Sequence, residues 1–422
     1  MTRKTYRSTE VFVPGGAPEY TYVPRTAVAI EQRLRAASEN LCKLVTLTGA
    51  TKSGKTVVTR RIYPRNTSVW IDGGGVDAED DIWTEVIDQL GGFTGIEHTR
   101  SAGTGLSGKA SAEAEGNLFV AKGKGGASLG ANLNWEGGVA RQRDRALKPA
   151  ALDTLRQSGR ALIIDDFHYL ERDIQRSVVR AIKALVFDGH PVIVIAIPHR
   201  RYDAARVEKE MASRLESIDV PAWSPSELVE IPNVGFDLLK VVVPGWVTDS
   251  MVKESLGSPH LIQDFCRTLC DHHGVAETKP KRIKLDIREL EPVYRRVAEM
   301  TGRVIFDAMA KGPRQRSDRK MRMLKEGGKD DIYGVVLRAI ASIGPGVDKL
   351  DYEEKLRPAI RSVLGEDPPQ GHEVSRVLDQ MSQISAADEA SAPVIDWDSE
   401  NRYLHITDPY FAFYLKWGNI DH

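Results

Sequence analysis

The stretch "LVTLTGATKSGKTVV", from Leu44 to Val58, constrains this chain more than any other. An apolar run leads into small residues and glycine, then Lys-Thr, then apolar residues again. The register is Gly49-x-x-x-x-Gly54-Lys55-Thr56, which predicts a strand, a tight loop and a helix start. Gly49 and Gly54 let the loop curl so that the backbone N–H groups of Ala50, Thr51, Lys52 and Ser53 point inward at phosphate oxygens. The helix that begins at Lys55, Thr56 and Val57 adds its positive end to the same place. Lys55 can reach β- and γ-phosphates, and the Thr56 hydroxyl can ligate Mg²⁺. The pattern follows an apolar strand and precedes a helix, which is the setting a phosphate-cradling loop requires.

A second stretch completes this chemistry. In "ALIIDDFHYL" four apolar residues end in Asp165-Asp166. Ligands bind at the carboxyl ends of parallel strands. Asp165 is placed to hold Mg²⁺, and Asp166 to orient an attacking water, although aspartate is one methylene shorter than the usual glutamate. In "PVIVIAIPHRRYD" the apolar run ends in His199, Arg200 and Arg201. If that strand lies between the loop strand and the acidic strand, Arg200 faces the γ-phosphate; otherwise the segment is a basic solvent loop. In "MASRLESIDVPAW" Arg214 precedes another strand. It is either a cation donated to a neighbouring subunit's nucleotide or one half of an internal ion pair. In "GSPHLIQDF" a Gly-Ser-Pro turn puts Pro259 at a helix start, where proline is tolerated and the turn can lie against a bound base.

Five short apolar runs ("KLVTLTG", "SVWIDGG", "ALIIDDF", "PVIVIAIP" and "SIDVPAW") alternate with helical patterns. That order predicts an α/β domain over residues 1–224 with a parallel sheet covered on both faces. Helical patterns alone fill 225–310, a lid domain. A basic linker, 311–329, follows. Residues 330–422 read as two or three helices, a hairpin and a closing aromatic helix, the order of a winged helix. The first residues are polar and are expected to be loosely held. Between about 91 and 138 the chain is rich in Gly, Ala and Ser. Alternation at Ala110–Ala114 and Ala127–Trp135 predicts a projecting hairpin turning at "KGKGG". A lone hairpin is marginal in water, so this one is expected to pair between subunits. Cys266 and Cys270 lie beside Leu261, Phe265 and Leu269 at helical spacing, which favours core packing over a metal site with His272 and His273.

The net charge is −1, so only local patches bear on a nucleic-acid partner. No apolar run spans a bilayer, the amino terminus lacks the apolar core of a secretory signal, and three cysteines make no disulfide framework. The expectation is a cytoplasmic protein with no membrane partner.

Together these motifs resemble the STAND class of signal-transduction ATPases in the AAA+ superfamily, and their archaeal-type and origin-recognition relatives, over roughly residues 20 to 420. "YVPRTAVAIEQRL" looks like the family's opening motif, which implies that Val23 and Arg25 lie beside the base. "GATKSGKT" and "LIIDDF" match the two Walker motifs, "GSPHLI" the lid motif, and "ITDPYFAFYLKW" the end of the winged helix in archaeal-type members. The resemblance implies ATP and Mg²⁺ as cofactors, slow hydrolysis, and a nucleotide-dependent oligomerisation switch in regulation or defence with a separate effector. The alternative it leaves open is a DNA-binding loader that uses the winged helix and basic linker.

Overall fold

The computed structural model describes residues 4–39, 42–91, 134–136, 139–141, 147–197, 209–313, 319–344, 346, 349–385 and 393–420. A short helix α1 (Ser8–Val11) precedes α2 (Ile30–Glu39). The phosphate-loop stretch forms β1 (Leu44–Gly49) and α3 (Lys55–Ile62), and β2 (Val69–Asp72) follows. Residues Ala78–Arg160 form a compact unit of their own. It contains α4 (Glu79–Leu90), a hairpin of β3 (Asn134–Glu136) and β4 (Val139–Arg141), and α5 (Leu147–Ser158). Lys148 pairs with Glu79 between its two helices. The main unit then resumes with β5 (Leu162–Asp165), α6 (Arg172–Phe187), β6 (Val192–Ala196) and β7 (Leu215–Val220).

The five expected strands make one parallel sheet in the order β2-β5-β6-β1-β7. β6 lies between the loop strand β1 and the acidic strand β5, which is the condition that the reading of Arg200 rests on. Residues of β1, β5 and β6 are buried throughout, so these strands read as continuous apolar runs rather than alternating ones. The register aligns Gly49 with Val220 and Asp72 with Asp165, which brings the phosphate loop and the acids to the carboxyl edge of the sheet.

The lid contains α7 (Pro225–Leu228), α8 (Glu230–Leu238), β8 (Val241–Val242), α9 (Gly245–Glu254), α10 (Pro259–His272), β9 (Ile283–Lys284), α11 (Glu291–Thr301) and α12 (Arg303–Lys311). A short hairpin, β10 (Arg322–Met323) with β11 (Lys329–Asp330), leads to the last domain. There α13 (Ile332–Ile343), β12 (Lys349–Asp351), α14 (Arg357–Val363), α15 (Gly371–Ser385), β13 (Ile395–Asp398), β14 (Tyr403–Ile406) and α16 (Pro409–Trp417) follow. Helices and a small sheet in the order β12-β14-β13 make the winged helix expected from the sequence. Its closing helix packs aromatics against the lid. Phe413 meets Phe265 at 5.0 Å, Trp417 meets Tyr294 at 4.9 Å, and Tyr414 meets Phe306 at 5.1 Å between ring centroids. Glu254 on α9 accepts from Lys416 Nζ at 2.7 Å and from Trp417 Nε1 at 2.8 Å. One apolar core therefore runs through lid and winged helix together.

Two expectations need correction, and a third is only partly within the described residues. The amino-terminal residues are not loose: Val11 and Phe12 are fully buried in the lid core, and Ser8 N donates to Ala276 O at 2.8 Å. Two apolar side chains suffice because Gly235 on α8 leaves room for the Phe12 ring. The basic segment is not simply a solvated linker. Arg319 is ion-paired with Asp331 at 2.7 Å, and Arg322 is buried between Glu366 and Glu373. Trp135 belongs to a strand that pairs directly with Val139–Arg141; the rest of the expected hairpin, with its turn at 122–126, lies outside the described residues. The cysteines behave as expected: Cys266 and Cys270 are buried in the lid core, and burial raises both thiols. Among the described residues no helix is long and apolar enough to cross a membrane.

Gly302 separates α11 from α12. A Cβ there would lie 2.3 Å from the Tyr414 Cβ, too close to the backbone of α16 to be relieved by a rotamer change. Gly302→Ala should therefore destabilise the chain by about 1–3 kcal/mol through overpacking. Gly245→Ala, which meets nothing within 4 Å, should not. Urea unfolding of the two variants side by side checks this.

Candidate nucleotide site

The loop between β1 and α3 is shaped by close approach. A Cβ on Gly49 would sit 2.8 Å from the Val220 carbonyl oxygen, so the loop leaves β1 flush against β7. Gly54, at φ 92, turns left-handed immediately before α3. The Ser53 carbonyl accepts from Trp223 Nε1 at 2.9 Å, which braces the loop from the start of the lid. Lys55 is buried, and its Nζ donates to the Gly49 and Ala50 carbonyls, each at 2.8 Å. Burial pulls its ammonium down to about 8, against the pull of Asp166 and Asp165 in the other direction.

The acids converge on the same place. Asp165 ends β5 opposite Asp72 on β2 and accepts a hydrogen bond from the Thr56 hydroxyl. Burial raises its carboxyl above the ordinary range. Asp166 takes a left-handed backbone, φ 50, and its N–H donates to Asp165 Oδ1 at 3.1 Å. Burial pushes Asp166 up to about 6, helped by the charges of Asp165 and Asp72. Gly73 permits this crowding, since a Cβ there would lie 2.5 Å from the Asp166 carbonyl oxygen. Two carboxylates beside one lysine, with the charge of Asp72 acting on both, make a site that a divalent cation would relieve. Among the described residues no three His, Cys, Asp or Glu side chains converge as a metal site by themselves. That suits Mg²⁺, which binds through one or two protein groups and otherwise through phosphate and water oxygens. Thr56 and Asp165 are the groups that would hold it.

A cavity of about 540 Å³ opens beside the loop. Lys52, Gly54, Thr56 and Val57 line it from the loop side, Val23 and Arg25 from the amino-terminal segment, and Pro259 and His260 from α10. Its size and mostly apolar wall fit a ligand of nucleoside size. Gln263 Nε2 donates to Thr21 Oγ1 at 2.8 Å and its Oε1 accepts from Val13 N at 3.1 Å, so the amino-terminal wall is pinned to the lid.

The structure brings together Val23, Arg25, the loop residues 49–57, Asp165, Asp166 and Pro259. Arg25 lines the cavity, but its guanidinium is committed elsewhere. It meets Glu227 at 2.9 and 3.1 Å, the Pro221 and Ala222 carbonyls at 2.8 and 3.0 Å, and stacks 4.8 Å above Trp223. It clamps the exit of β7 to α7. Arg214 is apart: it sits at the amino end of β7, which pairs with Leu44, the far end of β1 from the loop. Six residue steps, from 214 to 220 opposite Gly49, put it roughly 20 Å along the sheet from Gly49. Its guanidinium lies 4.7 Å above the Phe187 ring. Arg200 lies outside the described residues. Sequence reasoning missed Asp72, Trp223, Gln263 and His260. The Asp ending "SVWID" was the available signal for the first; His260 and Gln263 lie within "GSPHLIQDF" and Trp223 ends "SIDVPAW", but neither stretch gives these three side chains a role.

No family model matches the sequence, and no curated protein matches it. Solved structures do. A Walker-type ATPase of Pyrococcus abyssi superposes with a TM-score of 0.52 at 14% identity, over 93% of this chain and 96% of that one. The Aeropyrum pernix ORC1 protein, solved in complex with DNA, gives 0.46 at 13% identity, over 97% and 96%. A STAND protein of Pyrococcus horikoshii with a tetratricopeptide repeat sensor gives 0.36 at 11% identity, over 94% of this chain and 44% of that one. The identities are low, and what the first likeness carries is architecture alone: with its five-stranded parallel sheet, phosphate loop, lid and winged helix, this chain shares the fold of that Walker-type ATPase.

Proposed function

We propose that the chain binds ATP with Mg²⁺, hydrolyses it slowly, and uses the nucleotide to switch its own assembly. The observation that carries this reading is the placement of Lys55, Thr56, Asp165 and Asp166 on one sheet edge beside a nucleoside-sized cavity. Lys55 neutralises the β/γ-phosphates, Thr56 and Asp165 hold the metal, and Asp166 orients water. Backbone N–H groups of residues 50–54 cradle the phosphates, while Val23, Val57 and Pro259 flank the base. The metal supplies charge neutralisation between the phosphates.

Self-assembly is the reading that the family resemblance favours, and the position of Arg214 is compatible with it. Arg214 stands on the opposite sheet edge from its own phosphate loop, so any contact with a nucleotide must be made to a neighbouring subunit. The DNA-loading alternative is weaker on charge. The helix α15, where a winged helix would enter a groove, carries Glu373 and Asp379 against Arg376. The β13–β14 turn carries Asp398 and Glu400 against Arg402. Arg319 and Arg322 are already held by carboxylates. DNA affinity needs a surplus of cations on the docking face. Regulation or defence with a separate effector is the setting that the family resemblance favours.

Three outcomes are expected. Lys55→Ala should weaken ATP binding at least about 100-fold, a loss of roughly 2.7 kcal/mol, with circular dichroism unchanged; wild-type affinity in a folded variant would remove the phosphate-loop assignment. Asp165→Asn should lose the Mg²⁺ dependence of binding, whereas Asp166→Asn should keep binding and slow phosphate release by about 10-fold or more. Calorimetry paired with phosphate release separates the two. Light scattering with ADP, a non-hydrolysable ATP analogue, and added duplex DNA tests the switch. Growth in particle size with the analogue alone is expected. Growth only with DNA, steeply salt-dependent, would favour the loader.

A further inference from the structure

The phosphate loop carries a second cation that the cradle does not require. Lys52 takes a left-handed backbone at φ 59, a conformation glycine adopts freely and a residue with a side chain adopts at a cost. A loop needing only its backbone N–H at this position would be better served by glycine, and the side chain present here makes a contact of its own. Its Nζ lies 2.5 Å from Asp408 Oδ2 and 4.2 Å from the Tyr410 ring centroid. Both residues open α16, the last helix of the winged helix.

Asp408 has two jobs at once. Its Oδ1 accepts from the Tyr410 and Phe411 N–H groups at 2.7 and 3.2 Å and so caps α16. Its Oδ2 holds the phosphate loop. The contact is tied in from a third side: the Tyr410 hydroxyl donates to Asp264 on α10, and His260 stands edge-on to the Tyr410 ring at 5.1 Å. Loop, lid and winged helix thus meet at one ion pair whose carboxylate is only 8% exposed. Lys52 and Thr56 line the same cavity. A polyphosphate entering there carries more charge than one carboxylate and competes for the same ammonium.

We propose that Lys52 is a transferable cation. Asp408 holds it when loop and winged helix are latched, and the phosphates of a bound nucleotide draw it away and release the joined lid and winged helix from the loop. This rests on the nucleotide-switch reading above and names the contact that would transmit it.

The test uses the full chain and a fluorescent non-hydrolysable ATP analogue. Asp408→Asn keeps an N-cap side chain, since asparagine caps about as well as aspartate, but removes the charge that competes for Lys52. Analogue affinity should rise about 5-fold, the equivalent of one modest ion pair. Lys52→Gln should weaken binding. In the Lys52→Gln background, Asp408→Asn should have no further effect, because the competition passes through Lys52. Hydrogen exchange supplies the second readout. Amides at the contact itself, Tyr410 and Phe411 at the capped start of α16, should lose protection on analogue binding in the wild type as water reaches Asp408, and lack it without nucleotide in either variant. Lys52→Gln opens the contact from the loop side, so exchange still reads the latch should Asp408→Asn fold poorly. Unchanged affinity in Asp408→Asn, or the same tightening with Lys52 removed, would overturn the latch, the second result meaning general charge repulsion. Intact affinity coupling with no exchange response in the wild type would instead sink the switch and leave the competition standing.

Discussion

Burying a lysine ammonium at the carboxyl edge of the sheet is the constraint around which the rest is arranged. Lys55 loses water and is compensated by two carbonyls of its own loop and by the field of Asp165 and Asp166. The carboxylates are themselves raised by burial, so neither sign of charge is comfortable without the other. Such a site is costly to a fold by itself and strongly favourable toward a ligand that brings phosphates and a divalent cation. Trp223, Gly49 and Gly73 are the structural expense of holding it: one braces the loop and two make room for backbone crossing close to backbone.

The lid and winged helix are joined by packing of a different kind. Aromatic side chains of α16 interleave with those of α10, α11 and α12, and Glu254 ties the end of that helix to α9. An apolar core shared by two domains moves as one body or must be broken as one. The contact between this body and the phosphate loop is polar and local, centred on Lys52 and Asp408. Polar contacts exchange partners at low cost, and apolar cores do not. In the proposed latch, that difference puts the action of a nucleotide on the ion pair rather than on the aromatic seam.

Much of this was legible in the sequence because it is local. Continuous apolar runs mark strands buried on both faces, so β1, β5 and β6 stand out, and the loop spacing after β1 places Lys55 and Thr56 without further help. The β13–β14 hairpin and the aromatic run of α16 were equally readable from periodicity and composition. The amino-terminal segment was not, since its anchoring depends on two apolar residues and on a glycine more than two hundred positions away. Nor was the commitment of Arg25, whose partners Pro221, Ala222 and Glu227 lie on the exit of a strand that pairs beside the loop only once the sheet is formed.

The sequence by itself therefore determined the sheet, the phosphate loop, the acidic pair and the order lid then winged helix, because each depends on residue types at short fixed spacing. Only the tertiary structure decided that Asp72 stands beside Asp165, that Arg214 faces away from its own nucleotide edge, and that Lys52 meets Asp408 across 356 positions of chain. Those are pairings between elements. Strand order, register and the docking of a distant helix set them, and no local pattern encodes any of the three.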